Sequence, residues 1–153
     1  MDYKCIKQFD RLALDNEIIE IDEGAELACR KGILIYENRP ICYETSAVAA
    51  IYFVYDADNR GLERHEKHQA IYSRMVELNQ SYQEAYQAEV EAHPTEEGEE
   101  PYIPEIEDKV HGFMKTIAGQ GYAKLAGFRA YVFTPQFQKA TPEELQQLKS
   151  LLD

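Results

Sequence analysis

No apolar run in this 153-residue chain approaches the roughly 20 residues needed to cross a bilayer, and Met1-Asp2-Tyr3-Lys4 lacks the basic-then-apolar order of a secretory signal. Membrane insertion and secretion are not expected; a cytoplasmic location is. Cations are also scarce. Sixteen Lys and Arg against 28 Asp and Glu leave a net charge of -12, which repels nucleic acid phosphates and anionic lipid alike. Tyr102, Tyr122, Tyr131, Phe133 and Phe137 could stack on bases, but without a basic groove they read as core or interface residues, so no direct nucleic acid binding is expected. The three cysteines, Cys5, Cys29 and Cys42, are odd in number and lack CxxC spacing, which suits neither a disulfide scaffold nor a zinc site. Each lies in an apolar strand-like run and is expected as a buried, reduced thiol.

Catalytic signatures are missing too. There is no GxSxG, no Walker lysine and no carboxylate pair that spacing nominates. Gly119, Gly121 and Gly127 follow a helical pattern and precede a strand pattern, the reverse of what a phosphate-cradling loop needs. Asp56 to Gly61 begins like a calcium loop, but Arg60 takes the fifth position and Lys67 the twelfth, where a bidentate glutamate belongs. His65 and His68, three apart, share a helix face with Glu63 or Glu66 nearby, yet the pattern is not HExxH and offers no third ligand. They are expected as two exposed helix histidines whose protonation would make that face pH-sensitive. No enzyme, cofactor or metal is expected, and a metal-assisted hydrolase using His65 and His68 is kept as a further alternative.

What is present reads as one α+β domain over residues 1-153: a small antiparallel sheet packed with one long helix and two or three shorter ones. Residues 1-43 are mainly β. Tyr3, Cys5 and Phe9 fall on odd positions of one run, Ile19 and Ile21 alternate with charges, Lys31-Gly32 makes a tight turn, and Asn38-Arg39-Pro40 makes another before Ile41 to Tyr43. Residues 46-93 are helical. Thr45 and Ser46 can cap a helix carrying Ala47, Val48, Ala50, Ile51, Val54 and Tyr55; Asp56 to Gly61 interrupts it, with Asp56 or Asp58 as a cap; and Leu62 to about Ala92 forms the long helix. Ile71, Met75, Leu78 and Tyr82 make one apolar seam on it, used within the core or between copies.

His93-Pro94 ends that helix, because proline cannot continue the hydrogen-bond ladder. Residues 94-104 form an acidic loop, and 105-153 read as helix-strand-helix. The helix is Glu105 to Ala118 with Ile106, Val110, Phe113, Met114 and Ile117 inward, stopped by Gly119 and Gly121. The strand is Phe128 to Phe133. Thr141-Pro142-Glu143-Glu144 opens a last helix that docks through Leu145, Leu148, Leu151 and Leu152.

The stretch from Tyr3 to about Gln69 resembles a group of small proteins encoded by phages and prophages of Gram-positive bacteria. The resemblance is carried by Tyr3-Lys4-Cys5-Ile6-Lys7-Gln8-Phe9-Asp10, the Gly24 turn, Ile41-Cys42 before Thr45-Ser46, Tyr52-Phe53, and Asp58-Asn59-Arg60-Gly61-Leu62. It covers under half the chain, brings no catalytic residue with it, and stops before the acidic segment, since the sequence departs from the group after Met75. What it implies is a mobile-element accessory protein in the cytoplasm of a bacterial host.

Between Glu84 and Asp108 stand ten Asp or Glu residues and no Lys or Arg. Such an array imitates the charge of a nucleic acid backbone and attracts a cationic surface, while neighbouring tyrosines supply rigid anchors. The expected binding set is Tyr82, Tyr86, Glu89, Glu91, Glu96, Glu97, Glu99, Glu100 and Tyr102. The expected function is non-enzymatic binding of a protein partner with a basic surface, in one version inhibiting a nucleic-acid-binding host-defence enzyme, as an anti-CRISPR protein does. Against it stand a merely solvated acidic linker and an assembly protein that forms a homodimer through the long-helix seam.

Overall fold

The computed structural model describes residues 1–118 and 134–153. The fold is α+β. Its main sheet contains β1 (Tyr3–Cys5), β4 (Glu26–Arg30), β5 (Ile33–Tyr36), β6 (Arg39–Tyr43) and β7 (Phe53–Tyr55), in the order β6-β5-β4-β1-β7 with every pairing antiparallel. The strands β2 (Phe9–Leu12) and β3 (Ile18–Ile21) form a separate two-stranded ribbon. The odd-numbered run from Tyr3 to Phe9 is therefore split between two sheets, although Tyr3, Cys5 and Phe9 are all buried as their alternation requires.

Two hairpins are closed by two-residue turns with positive φ at both central positions, the geometry whose twist matches that of the flanking strands. One uses Lys31 and Gly32 at 52° and 78°, the other Glu37 and Asn38 at 51° and 63°. The second turn was expected at Asn38-Arg39-Pro40; instead β6 starts at Arg39 and contains Pro40. Proline is tolerated there because β6 is an edge strand, where a missing N–H breaks no ladder bond. The carbonyl of Pro40 accepts from Leu14 N at 3.0 Å, tying the ribbon to that edge.

Helix α1 spans Ala47–Tyr52, capped by Ser46, whose hydroxyl accepts from Ala49 N at 3.2 Å. It is shorter than the apolar pattern predicts, and Val54 and Tyr55 lie in β7. Phe53-Val54-Tyr55 is an aromatic and β-branched run that pairs in register with Cys5, Lys4 and Tyr3, and the sheet pairing overrides the helical periodicity. Asp56 Oδ1 accepts from Gly61 N at 2.7 Å and opens α2, Gly61–Ala92, whose 32 residues extend about 48 Å.

Helix α3 runs Lys109–Ala118, four residues later than expected. Asp108 Oδ1 accepts from His111 N at 2.9 Å and starts the helix there, leaving Glu105 and Ile106 outside it. A short α4, Pro135–Gln138, is capped by Thr134, and α5, Pro142–Ser150, by Thr141, whose hydroxyl accepts from Glu144 N at 3.2 Å. Of the four leucines assigned to docking, Leu145 and Leu152 are buried and Leu148 is partly so. Leu151, just past the last turn of α5, is 56% exposed, so its docking role is withdrawn. The expected glycine stop at Gly119 and Gly121, Gly127, Tyr122, and the strand from Phe128 to Phe133 with Tyr131 lie outside the described residues.

The core has two parts. The first gathers the sheet and α1 around Phe9, Ile21, Leu27, Leu34 and Phe53; the second gathers α2, α3, α4 and α5 around Ile71, Met75, Met114, Phe137 and Leu145. Arg64 joins them. Its side chain is fully buried, with Nε donating to Ala140 O at 2.8 Å, Nη1 to Tyr55 O at 2.8 Å, and Nη2 to Asp58 Oδ2 at 2.7 Å. A guanidinium carries five N–H donors in a fixed fork, so one residue bonds a strand end, a loop and the chain before α5 at once.

A candidate protein-binding arm

Met75 is the last fully buried residue of α2. Beyond it Tyr82 and Tyr86 prolong the same stripe, half-buried, with ring centroids 6.0 Å apart. Gln80 and Gln87 donate to Glu84 and Glu91, one turn further on, at 3.2 and 3.0 Å, which holds those carboxylates on the helix surface. Ala92 ends the helix before His93-Pro94, as expected. The chain then reverses through Gly98 at φ 88°, where Glu99 N donates to Glu96 O at 3.1 Å.

The acidic segment is a two-legged arm, the end of α2 and the chain that returns along it. On the return leg the Tyr102 ring stacks on His93 at 4.0 Å between centroids, and its hydroxyl donates to Glu89 at 3.4 Å. Burial, then the nearby Glu89 charge, push the Tyr102 phenol above its ordinary pKa, so it remains a donor at neutral pH. Pro104 is buried, and an open groove of about 710 Å³ runs between the legs, lined by Ala85, Ala88 and Glu89 on one side and Tyr102, Ile103, Glu105 and Ile106 on the other. Ile103 is 73% exposed at its rim.

The expected binding residues divide accordingly. Glu89 and Tyr102 are brought together, Glu91 lies on the same end of α2, and Glu96, Glu97, Glu99 and Glu100 are exposed at the tip. Tyr82 and Tyr86 sit further down the arm. The groove residues Ala85, Ala88, Ile103 and Ile106 and the His93 stack were not anticipated. Their only trace in the sequence is the apolar pair Ile103 and Ile106 set among prolines and acids. Residues 75–108 hold eleven of the 28 acidic residues and no Lys or Arg, so almost all the net charge of -12 resides here.

The histidine pair behaves differently from expectation. His68 is 7% exposed and stacked on Phe137 at 4.9 Å, with Nε2 3.4 Å from Phe137 O. It falls on the core stripe of α2 between Arg64 and Ile71, and the exposed assignment is corrected. Burial brings its pKa down to about 4 and lowers that of half-buried His65 as well. Among the described residues no group of three or more His, Cys, Asp or Glu side chains is placed to hold a metal ion. Ile71 and Met75, two members of the seam, are buried within the chain's own core.

A second polar cluster spans the two halves. Glu44 Oε2 receives the Tyr3 hydroxyl at 2.9 Å, Lys139 Nζ at 3.0 Å and the Cys29 thiol at 3.4 Å. Burial works to raise the Glu44 pKa, but the Lys139, Tyr3 and Cys29 bonds outweigh it and hold the carboxyl below its usual value. Burial and the Glu44 carboxylate raise the Cys29 pKa, and burial takes Cys42 up to about 11. Cys5 and Cys42 are buried as expected, whereas Cys29 is only half-buried. Both shifts disfavour the thiolate, which is the reactive form.

Among the described residues no helix is long and apolar enough to cross a membrane. Compared with known proteins, the chain matches no family model, no curated protein and no solved structure.

Proposed function

We propose that this chain is a non-enzymatic binding protein that presents its acidic arm to a basic surface of a protein partner. One observation carries the reading: the return leg is fastened to α2 by the Tyr102 contacts with His93 and Glu89, so the carboxylates stand on a built projection. A solvated linker needs no such fastening. Pre-ordered carboxylates lose less conformational entropy on binding than a floppy acidic run, and they oppose a cationic groove much as phosphates would.

The narrower role follows from that chemistry together with the resemblance of the N-terminal half to phage and prophage proteins. A partner whose basic groove normally receives nucleic acid would be blocked by the arm, which makes a host-defence nuclease or nucleic-acid-binding enzyme the partner class.

Hexalysine carrying a fluorescent label tests the charge reading. Neutralising Glu96, Glu97, Glu99 and Glu100 to Gln is expected to weaken binding by more than about fivefold at low salt and to flatten its salt dependence. Neutralising the exposed Glu20, Glu23, Glu26 and Glu37 removes the same formal charge away from the arm and is expected to cost less than about twofold. Equal losses in the two variants overturn the reading.

A further inference from the structure

We propose that the groove between the two legs is the seat for one aliphatic side chain of a basic peptide segment, flanked by lysines or arginines that meet Glu89 and Glu105. The inference rests on the arm as a binding site and adds what its partner must carry. The groove sets four apolar side chains, Ala85, Ala88, Ile103 and Ile106, beside Tyr102 and the two carboxylates Glu89 and Glu105. Ala85 and Ala88 are small, so backbone can approach the helix, and Ile106 and the strongly exposed Ile103 supply aliphatic surface. An aliphatic residue left in water at the centre of the molecule's most charged region gains from being covered, and burying a side chain of that size is favourable by itself.

Charge selects the occupant. Glu89 and Glu105 line the same groove, and no Lys or Arg lies between Arg74 and Lys109, so an acidic segment or the arm of a second copy is repelled from it. A purely cationic segment satisfies the rims and leaves Ile103 uncovered. A purely apolar one covers Ile103 and strips water from two carboxylates without replacing it. Basic residues on either side of one Leu, Ile or Val satisfy both demands, and the volume of about 710 Å³ is ample for such a side chain with its flanking backbone.

Two labelled heptapeptides decide it, each with six lysines, one with a central leucine and one with a central serine. The intact protein is expected to bind the leucine peptide about tenfold more tightly, and Ile103→Ser is expected to bring the ratio to about one, chiefly by weakening the leucine peptide. Ile103 is exposed, so this substitution spares the core. Equal binding of both peptides by the intact protein, or a leucine preference that survives Ile103→Ser, overturns the groove and leaves the acidic arm standing. Serine-peptide binding that ignores neutralisation of Glu96, Glu97, Glu99 and Glu100 removes the arm itself.

Discussion

The guanidinium of Arg64 closes on the Asp58 carboxylate through two bonds, Nη2 to Oδ2 at 2.7 Å and Nη1 to Oδ1 at 3.1 Å, with Arg64 fully buried and Asp58 partly open to water. The pair is asymmetric. Asp58 could be rehydrated if its partner were lost, whereas Tyr55 O and Ala140 O would lose donors inside the protein. Arg64→Met is expected to destabilise the fold by about 3–5 kcal/mol in urea titration, the range for breaking a buried ionic network. Arg64→Lys is expected to recover little, because an ammonium cannot reach three directions in a plane.

Stability should also fall on mild acidification. The folded pKa of His68 is about 4 against an ordinary 6.5, so the unfolded chain takes up its proton first. The contribution is complete above about pH 6.5 and is lost progressively as pH drops toward 4, reaching on the order of 3 kcal/mol. Thermal melts at pH 7 and pH 5 check this. His68→Phe keeps a ring against Phe137 and is expected to shrink the pH 5 deficit; an unchanged deficit would assign it elsewhere. Asp58 and Glu143 are held down to about 2 by Arg64 and Arg60, so their contributions disappear only in stronger acid.

Gly61 opens α2 at a point where no side chain fits. A Cβ there would lie 2.6 Å from Asp56 Oδ1 and 3.0 Å from Asp56 Cβ and Cγ. Gly61→Ala would normally favour a helix, yet here it must displace the carboxylate that caps Gly61 N. The expected result is a loss of about 1–2 kcal/mol in place of a gain. Pairing it with Asp56→Gly should make the alanine much less costly, measurable as a non-additive double-mutant cycle.

Much of the fold could be read from sequence because its signals are local. Ser46 and Thr141 cap helices as their patterns predict, His93-Pro94 ends α2, and the Lys31-Gly32 turn stands where expected. Some failures are local, such as the Asp108 cap that starts α3 late, but the larger ones come from contact with distant chain. Val54 and Tyr55 have helical spacing but pair with Tyr3 and Lys4, about fifty residues away. Arg64 and His68 look like helix-surface residues until Ala140 and Phe137 arrive to cover them. In the arm, the excess of charge was plain, while the groove depends on Tyr102 folding back to His93, which no periodicity encodes.

Cys29 is expected to alkylate slowly. Burial and then the Glu44 carboxylate disfavour its thiolate, so Glu44→Gln should quicken its reaction with iodoacetamide at mildly alkaline pH. Peptide mass spectrometry resolves Cys29 from Cys5 and Cys42. A rate that stays the same or falls would mean that Glu44 does not govern it.

The fastening of the return leg can be tested apart from any partner. Tyr102→Ala removes the His93 stack and the Glu89 bond from an exposed site. Amide exchange over residues 99–106 is expected to speed up, with the core melt unchanged. Equal exchange in both proteins would mean that the stack does not hold the leg.

The two core clusters divide the chain in order as well as in space: all buried members of the first come from Tyr3 to Phe53, and all those of the second from Ile71 to Leu152. For a chain leaving the ribosome N-terminus first, this separates folding into successive events. Every described strand of the sheet has been made once Tyr55 emerges, whereas Met75 must wait for Leu145 and Leu152. Arg64, made between the two, bonds Tyr55 O and Asp58 on the earlier side and Ala140 O on the later one, so its Nε lacks this acceptor until Ala140 has been added.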